Sequence, residues 1–239
     1  MAIAAPETIV CGEQIPHTGL PRVVEAGMAF VGLLLSAPFL AVAAALVAVT
    51  SPGGVFFRQE RVGLNGKNFI LYKLRTMRHA MGGPDLTARD DARITRVGRF
   101  LRRTKLDELP QLWNVLSGEM SLVGPRPEVP RYVDLGNPLW RGALRVRPGM
   151  TDPVSLSLRD EEALLARVAG DRERFYLEEL QPVKLRGHLE YLRRRSFWTD
   201  IRVIGRTGVA VIIPRIHIHK GARPDSLVAR EPRSRNTGV

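Results

Sequence analysis

The sequence has little cysteine and few aromatic residues, and it contains no repeat. Cys11 is the one cysteine among 239 residues, so neither an intramolecular disulfide nor a cysteine zinc cluster can form. Aromatic residues make up 6% of the chain, which leaves few rings for stacking nucleic-acid bases. No segment recurs at the periods of about 20–50 residues that mark solenoids and propellers. These absences exclude disulfide-stapled and repeat folds, and the length fits one domain with an anchor.

Acidic residues are too few to balance the basic ones. The formal net charge is +12, and from Arg58 to Asp107 there are 13 Lys or Arg against 5 Asp or Glu. Such a basic stretch attracts nucleic acid, anionic lipid head groups or diphosphate substrates. Composition alone does not choose among these three, and a solvated basic face is the plain alternative.

Charge is missing altogether between Glu25 and Arg58. Within this gap the 22 residues from Met28 to Val49 are almost wholly apolar, and as a helix they would extend about 33 Å. That length is enough to cross a hydrocarbon core of roughly 30 Å. The residues before the segment include Glu7, Glu13 and Glu25 rather than a basic cluster, which argues against a signal peptide. A buried core helix is the remaining alternative.

Ser36 and Pro38 interrupt this apolar segment near its middle. Proline removes one helical hydrogen bond and clashes with the preceding turn, so we expect a break there, with Ser36 as partner for the freed carbonyl group. Two outcomes are open: a kinked helix that spans the membrane, or a helix that enters and leaves through the same face. The placement of basic residues favours a cytoplasmic location of the basic body in both cases.

The rest of the chain predicts an α+β domain that is mostly helical and has a small β-hairpin. Turn residues at Asn65-Gly66 predict the hairpin from Val55 to Met77. Periodic apolar residues and breakers predict further helices at Arg93–Arg103, Glu108–Ser117, Asp160–Val168, Arg172–Arg195 (broken at Pro182) and Trp198–Ile213. We therefore divide the chain into a loose tail (1–20), a membrane helix (21–52), a catalytic domain (53–215) and a basic, disordered tail (216–239).

Two adjacent carboxylates, Asp107 and Glu108, follow closely after several basic residues. Pro110 is tolerated only in the first turn of a helix, so the helix would begin near Asp107. Asp107 could then be a helix cap, with Thr104 completing a capping box. The alternative is phosphoryl transfer, in which cations hold phosphate oxygens, an aspartate attacks phosphorus, and Glu108 holds Mg²⁺. The local sequence leaves both readings open.

Further basic residues lie in three motifs outside this acidic pair. Lys73 and Arg75 lie at the end of the second hairpin strand, on one side of it. Arg126 is stiffened by a proline on each side, and Arg147 precedes Pro148-Gly149. Together with Arg102, they are the predicted substrate-binding residues.

At these motifs the chain resembles the bacterial sugar transferase family, the monotopic phosphoglycosyl transferases. The matching segments, in order, are 51–63, the Lys73 motif, Asp107-Glu108, Met120–Pro127 and Arg147-Pro148-Gly149. The resemblance implies that Asp107 attacks the sugar-linked phosphate of a UDP-sugar, that UMP leaves, and that the phosphosugar passes to undecaprenyl phosphate. It implies Glu108 as the acidic partner and Mg²⁺ ligand, and Lys73, Arg102 and Arg126 as phosphate or nucleotide contacts.

The resemblance also implies a setting and a set of partners. It places the protein at the bacterial inner membrane, with a re-entrant helix broken at Ser36 and Pro38 and the catalytic domain on the cytoplasmic face. The expected partners are a UDP-sugar, undecaprenyl phosphate, membrane lipids and downstream glycosyltransferases of exopolysaccharide, O-antigen or glycoprotein assembly. No nucleic acid is expected, and a homodimer is left open. The alternative is a membrane-anchored basic protein that binds nucleic acid or acts as a scaffold.

Overall fold

The computed structural model describes residues 19–51, 53–78, 86–87, 91–158 and 161–212. In this part of the chain the fold is mostly helical, with two two-stranded sheets. The helices are α1 (Arg22–Thr50), α2 (Arg96–Thr104), α3 (Gln111–Ser117), α4 (Pro138–Ala143), α5 (Pro153–Ser157), α6 (Glu161–Ala166), α7 (Arg172–Phe175), α8 (Gln181–Arg193) and α9 (Phe197–Ile212). The strands are β1 (Phe56–Val62), β2 (Asn68–Leu74), β3 (Ser121–Val123) and β4 (Gly149–Thr151).

The predicted hairpin is confirmed. Strands β1 and β2 pair antiparallel, with Phe57 opposite Lys73 and Val62 opposite Asn68. Their connection is a 3-10 turn, Leu64–Gly66, in which Asn65 has a left-handed φ of 55°, a conformation that asparagine tolerates better than most residues. The Asn-Gly pair therefore closes the hairpin as the sequence indicated.

Helix α1 is long and apolar enough to cross a membrane by its length and composition. Its first turn is held by polar bonds: Glu25 accepts from Ser121 Oγ at 2.6 Å and from the Leu122 N–H at 3.2 Å. Near its other end, Ala43 and Val47 are buried in an apolar cluster with Leu74 and Leu101. Both ends of α1 therefore pack against the rest of the described domain.

The predicted break in this segment is not a break in helical structure. Residues 22–50 form one helix that includes Pro38. Pro38 cannot donate to the Leu34 carbonyl group four residues earlier, and Ser36 Oγ donates to the Leu33 carbonyl at 3.3 Å instead. Ser36 is thus not the partner of the freed carbonyl, which corrects that expectation. A bend of the helix axis at Ser36 and Pro38 stays a prediction.

Two other segments differ from what the sequence predicted. Leu20, assigned to the loose tail, is buried, and its N–H donates to Asp200 Oδ2 at 3.1 Å, because α9 brings a buried carboxylate to it. The Arg172–Arg195 segment is interrupted by a π-helical turn, Tyr176–Leu180, and Pro182 falls in the first turn of α8. Residues 1–18 and 213–239, with most of the predicted N-terminal tail and all of the C-terminal one, lie outside the described residues.

Candidate active site

Glu108 lies at the centre of a group of basic side chains from three separate segments. Its Oε1 atom lies 3.3 Å from Lys73 Nζ and 2.5 Å from Arg126 Nη2, and Arg126 Nη1 donates to Oε2 at 3.3 Å. Lys105 Nζ is 3.9 Å from the same Oε1. The Glu108 side chain keeps 14% of its surface exposed, so the cluster is open to a ligand on one side.

The backbone that carries the acidic pair is shaped by Lys105. This residue ends α2 in the left-handed conformation, with φ 60° and ψ 15°. A non-glycine residue in this region costs roughly 1–3 kcal/mol and is found most often at functional sites. The turn lets Leu106–Glu108 form a separate 3-10 turn before α3 starts at Gln111.

Asp107 is therefore not a helix cap, and the capping-box interpretation is wrong. Helix α3 follows Pro110 and has no side-chain cap, while Thr104 Oγ1 donates to the carbonyl groups of Phe100 and Leu101. Asp107 is 5% exposed, and its buried Oδ1 has no hydrogen-bond partner. An ionisable oxygen left in this state is costly for stability, and such groups concentrate at functional sites.

The two adjacent carboxyl groups have pKa values that move in opposite directions. Burial, and then the neighbouring Glu108 charge, raise the pKa of Asp107, against the opposing pull of Lys73 and Lys105. Burial on its own would also raise the pKa of Glu108, but Arg126, Lys73 and Lys105 outweigh it and hold that pKa well below its usual range. Neighbouring titratable groups whose pKa values are shifted in opposite directions are typical of active sites in which the two groups have different roles.

The cations respond to the same environment. Burial lowers the pKa of Lys73 to about 8, although Glu108 acts in the opposite direction. The Glu108 carboxylate raises the pKa of Arg126 above its usual value, more than burial lowers it. Arg126 thus stays charged at every physiological pH. Lys73, with a pKa of about 8, can lose its proton at a pH only slightly above neutral.

Asn114 fixes the distance between Lys73 and the acidic pair. This fully buried α3 side chain accepts from the Tyr72 N–H at 3.2 Å and donates to the Ile70 carbonyl at 2.7 Å. It therefore pairs with the edge of β2 as a neighbouring strand would. Because α3 directly follows the 3-10 turn, this contact sets β2 beside Glu108.

Arg126 is positioned by a close approach of two glycine residues. A Cβ atom added at Gly149 would lie 2.1 Å from the Gly124 nitrogen, so only glycine lets β4 come this near the start of the Pro125–Pro127 segment. Next to that segment, Arg61 Nη1 donates to the Pro127 carbonyl at 3.1 Å and to Glu128 Oε1 at 3.2 Å. The hairpin and the arginine segment are thereby locked together.

The other predicted substrate contacts lie outside the Glu108 cluster. Arg102 bonds to Thr76 Oγ1 at 3.3 Å and to Glu162. Arg75 Nη2 lies 3.6 Å from where a Cβ atom of Gly54 would be. Arg147 Nε donates to the Gly118 carbonyl, at the end of α3, at 2.9 Å. The structure thus brings together Asp107, Glu108, Lys73 and Arg126, and leaves these three arginines at its periphery.

Sequence reasoning passed over three residues of the site. Lys105 could have been noticed because it lies two residues before Asp107 in a basic run, but its backbone conformation has no sequence signal. The roles of Asn114 and Arg61 depend on contacts across 42 and 67 residues. Nothing in their local sequence indicates those partners.

The predicted Mg²⁺ would take its protein ligands from the carboxylate oxygens of this site. Among the described residues, no group of three or more His, Cys, Asp or Glu is placed to hold a metal. Mg²⁺ often takes only one or two carboxylates and completes its shell with waters and substrate phosphates. The unpartnered Asp107 Oδ1 beside Glu108 fits that coordination preference. Both Glu108 oxygens, in contrast, already accept hydrogen bonds from Arg126.

Comparison with known proteins assigns the family. The model of the bacterial sugar transferase family matches residues 17–214, so the chain belongs to the bacterial sugar transferases. Among its relatives, the UDP-glucose:undecaprenyl-phosphate glucose-1-phosphate transferase of Caulobacter vibrioides is 39% identical over 78% of this chain and 67% of its own length. The exopolysaccharide production protein ExoY of Rhizobium meliloti is 33% identical over 78% of this chain and 83% of its own.

A more distant relative is named for a different sugar. The UDP-N-acetylgalactosamine-undecaprenyl-phosphate N-acetylgalactosaminephosphotransferase of Aeromonas hydrophila is 32% identical over 75% of this chain. The match covers 40% of that protein, so this chain corresponds to only part of it. Glucose and N-acetylgalactosamine thus both appear among the names of its relatives.

Proposed function

We propose that this chain transfers a sugar 1-phosphate from a UDP-sugar to undecaprenyl phosphate, the first membrane step of a glycan assembly. One observation carries the proposal: in a member of the bacterial sugar transferase family, a buried, unpartnered Asp107 oxygen adjoins a carboxylate surrounded by cations. The names of the relatives supply the substrate class. The product would pass to downstream glycosyltransferases.

The first half-reaction consumes the UDP-sugar. An Asp107 carboxylate oxygen attacks the sugar-linked phosphorus, a new P–O bond forms to Asp107, and the anhydride P–O bond breaks. UMP leaves with the bridging oxygen and its electron pair. Lys73 and Arg126, which already share an anion in Glu108, hold the phosphate oxygens as charge moves onto the leaving UMP.

The second half-reaction restores the enzyme. A phosphate oxygen of undecaprenyl phosphate attacks the phosphorus of the Asp107 adduct, and the bond to the Asp107 oxygen breaks. Asp107 returns as a carboxylate, and the lipid carries a sugar diphosphate. The raised pKa of Asp107 favours the first half-reaction, in which its carboxylate attacks, because a more basic carboxylate is the stronger nucleophile once it is ionised.

We propose Mg²⁺ as the cofactor. Glu108 and the substrate phosphates would hold it, and the unpartnered oxygen of Asp107 lies in the same site. When bound, it would offset diphosphate charge that the lysine and arginine side chains do not neutralise. An excess of EDTA should remove most of the activity, and added Mg²⁺ should restore it. Full turnover in EDTA would refute the metal.

Trapping the adduct tests the central claim. With a UDP-sugar labelled in the sugar-linked phosphate and no acceptor, the parent protein should become labelled and release UMP. Asp107→Asn should lose the label and reduce turnover by about 1,000-fold or more. Asp134→Asn, which changes an exposed aspartate, is the matched control and should retain both. Undiminished labelling of Asp107→Asn would remove Asp107 as nucleophile.

For α1 we propose the re-entrant topology, with both ends on the cytoplasmic face of the inner membrane. Glu25 is bonded to β3, and Ala43 packs on the cluster that contains Leu74. These contacts lie 18 residues apart, about 27 Å along a helix. A helix running straight across the bilayer would take the catalytic domain with it through nearly the whole hydrocarbon core. Large apolar side chains between the contacts are exposed and available to lipid: Phe30, Leu34, Leu35, Phe39 and Val42.

Cysteine labelling separates the two topologies. In a Cys11→Ser background, single cysteines replace Thr18, which lies outside the described residues, and Lys67, which is exposed on the hairpin. If α1 is re-entrant, an impermeant thiol reagent will label neither site in intact cells and both after permeabilisation. Labelling of the Thr18 position alone in intact cells would establish a spanning helix.

A further inference from the structure

The hairpin places one exposed aromatic side chain on the same face as Lys73. Phe57 and Lys73 are directly opposed in the β1–β2 ladder, and side chains at such positions project from the same face with Cβ atoms about 4.5–5.5 Å apart. Lys73 reaches Glu108 from this face. Phe57 is nevertheless 42% exposed and belongs to none of the apolar clusters formed by the described residues.

The same face of β1 continues toward the arginine segment. Gln59 and Arg61 follow Phe57 at alternate positions. Arg61 bonds to Gln59 Oε1 at 2.7 Å and to the Pro127 carbonyl. One wall of the site therefore runs from the closed end at Arg61 to the open end at Phe57, with the phosphate-binding cations beside it.

The neighbouring Phe56 faces the other way. Its strand partner Leu74 is buried with Ala43 and Val47 of α1 and with Leu101 of α2. Phe56, which is 51% exposed, is thus on the face that packs on the second half of α1. Phe57 is on the opposite face, from which Lys73 reaches Glu108 and on which Phe69 and Leu71 pack against Ala29 in the first half of α1.

The cavity on the other side of Arg126 does not offer room for a nucleobase. Its volume is about 20 Å³, enough for a single water molecule. Two of the polar groups that line it are already paired: Lys184 with Glu161, and the Tyr176 hydroxyl with Glu128. The exposed ring of Phe57, directly opposite Lys73 in the hairpin, offers a surface for a flat aromatic ligand instead.

We propose that Phe57 stacks on the uracil ring of the UDP-sugar while Lys73, one strand away, holds its diphosphate. The inference rests on the proposed function and adds a nucleobase contact to it. Stacking of a base on an aromatic side chain contributes about 1–3 kcal/mol by alanine substitution. The corresponding loss of affinity is roughly 5- to 150-fold.

Binding of UMP and of ribose 5-phosphate, which lacks the base, tests the contact by calorimetry in detergent. Phe57→Ala should weaken UMP binding about tenfold or more and leave ribose 5-phosphate binding unchanged. Phe57→Tyr should bind UMP as the parent does. Phe57→Leu, which keeps apolar bulk without a ring, should resemble Phe57→Ala and also serves if the alanine variant does not fold. Phe56→Ala is the matched control and should bind UMP normally.

Steady-state kinetics with the most active UDP-sugar complete the test. Phe57→Ala should raise KM for that UDP-sugar by a similar factor and leave KM for undecaprenyl phosphate within about twofold. Unaltered UMP binding, or a rise in KM for undecaprenyl phosphate alone, would overturn the stacking contact while leaving the transferase reaction in place. A parent protein that binds no UMP would contradict the proposed function and the contact with it.

Discussion

Glu25 and Glu108 are both buried carboxylates, yet their surroundings differ in kind. Glu25 is 2% exposed and accepts from a hydroxyl group and a backbone N–H of β3. Glu108 accepts from the side chains of Lys73 and Arg126, with Lys105 close by. The groups that bond to Glu25 belong to a fixed strand, whereas the cations that bond to Glu108 are on flexible side chains.

The difference separates a structural group from a functional one. Backbone donors are fixed by the strand that carries them, so the bonds to Glu25 stabilise the docking of α1 and can do little else. Cationic side chains can turn from a carboxylate to an incoming phosphate, because both present oxygen acceptors of similar geometry. We therefore propose that Glu108 keeps an anion-binding site assembled until a diphosphate binds.

The largest effect that follows from this comparison is on activity at Glu108. Glu108→Gln keeps the shape but removes the charge that arranges Lys73 and Arg126, so we expect kcat/KM to fall by about 100- to 1,000-fold. Steady-state rates are compared at equal amounts of folded protein. A fall of less than about tenfold would show that the cations hold their positions without Glu108.

The sequence predicted this acidic pair and, through the family resemblance, Lys73 and Arg126 beside it, but not the backbone that carries the pair. The hairpin, the presence of most helices and the order of the motifs could be predicted because each depends on nearby residues, such as Asn65-Gly66 or the proline pair around Arg126. The cap interpretation of Asp107 failed because the left-handed backbone at Lys105 delays α3 until Gln111. A single non-glycine residue in that conformation leaves no trace in the local pattern.

Long-range contacts account for most of the remaining differences. Glu25 stood in the sequence merely as the edge of an uncharged segment, although it bonds to a strand 96 residues away. Arg102 bonds to Thr76 and Glu162 while its charge lowers the pKa of Asp107, so its expected role at the phosphates stays a prediction. Leu20 was assigned to a tail, although Asp200 binds its N–H from 180 residues away. In each case the partner is defined only once the chain has folded.

Glu25→Gln should lower the stability and leave the activity nearly unchanged, which is the reverse of the result expected for Glu108→Gln. Glu25→Gln leaves one buried donor without its charged acceptor and weakens the contact with Arg22 at 3.6 Å. We expect the free energy of unfolding to fall by about 1–3 kcal/mol, which corresponds to a decrease in Tm of several degrees for a chain of this size. Thermal unfolding in detergent measures it, and kcat of the folded fraction should stay within about threefold of the parent. A large loss of kcat without a loss of Tm would place Glu25 in the catalytic machinery.

A third buried carboxylate, Asp152, gives the smallest effect and sharpens the comparison. Its Oδ1 accepts from the backbone N–H groups of Val154 and Ser155 at the start of α5, and His188 Nδ1 lies 3.3 Å from it. Burial alone would raise the pKa of Asp152, but His188 and the Ser155 donors outweigh it and hold the pKa below its usual 3.8. By its donors, Asp152 belongs with Glu25 rather than with Glu108.

The lowered pKa fixes the sign of a pH dependence. A carboxyl group whose pKa is lower in the folded state than in the unfolded state contributes stability above the unfolded value, and this contribution disappears as the pH falls through the folded value. Asp152→Asn keeps a side chain that can cap α5, and it removes the charge together with the Oδ2 acceptor of the Ser155 hydroxyl. Its Tm should lie about 2–4 °C below that of the parent at neutral pH, for a loss of about 1 kcal/mol. The gap should shrink as the pH falls below about 4, because protonation then removes the same charge from the parent. A gap that stays constant down to the acid limit would mean that the charge of Asp152 does not contribute to stability and that the loss comes from the missing acceptor for Ser155 Oγ.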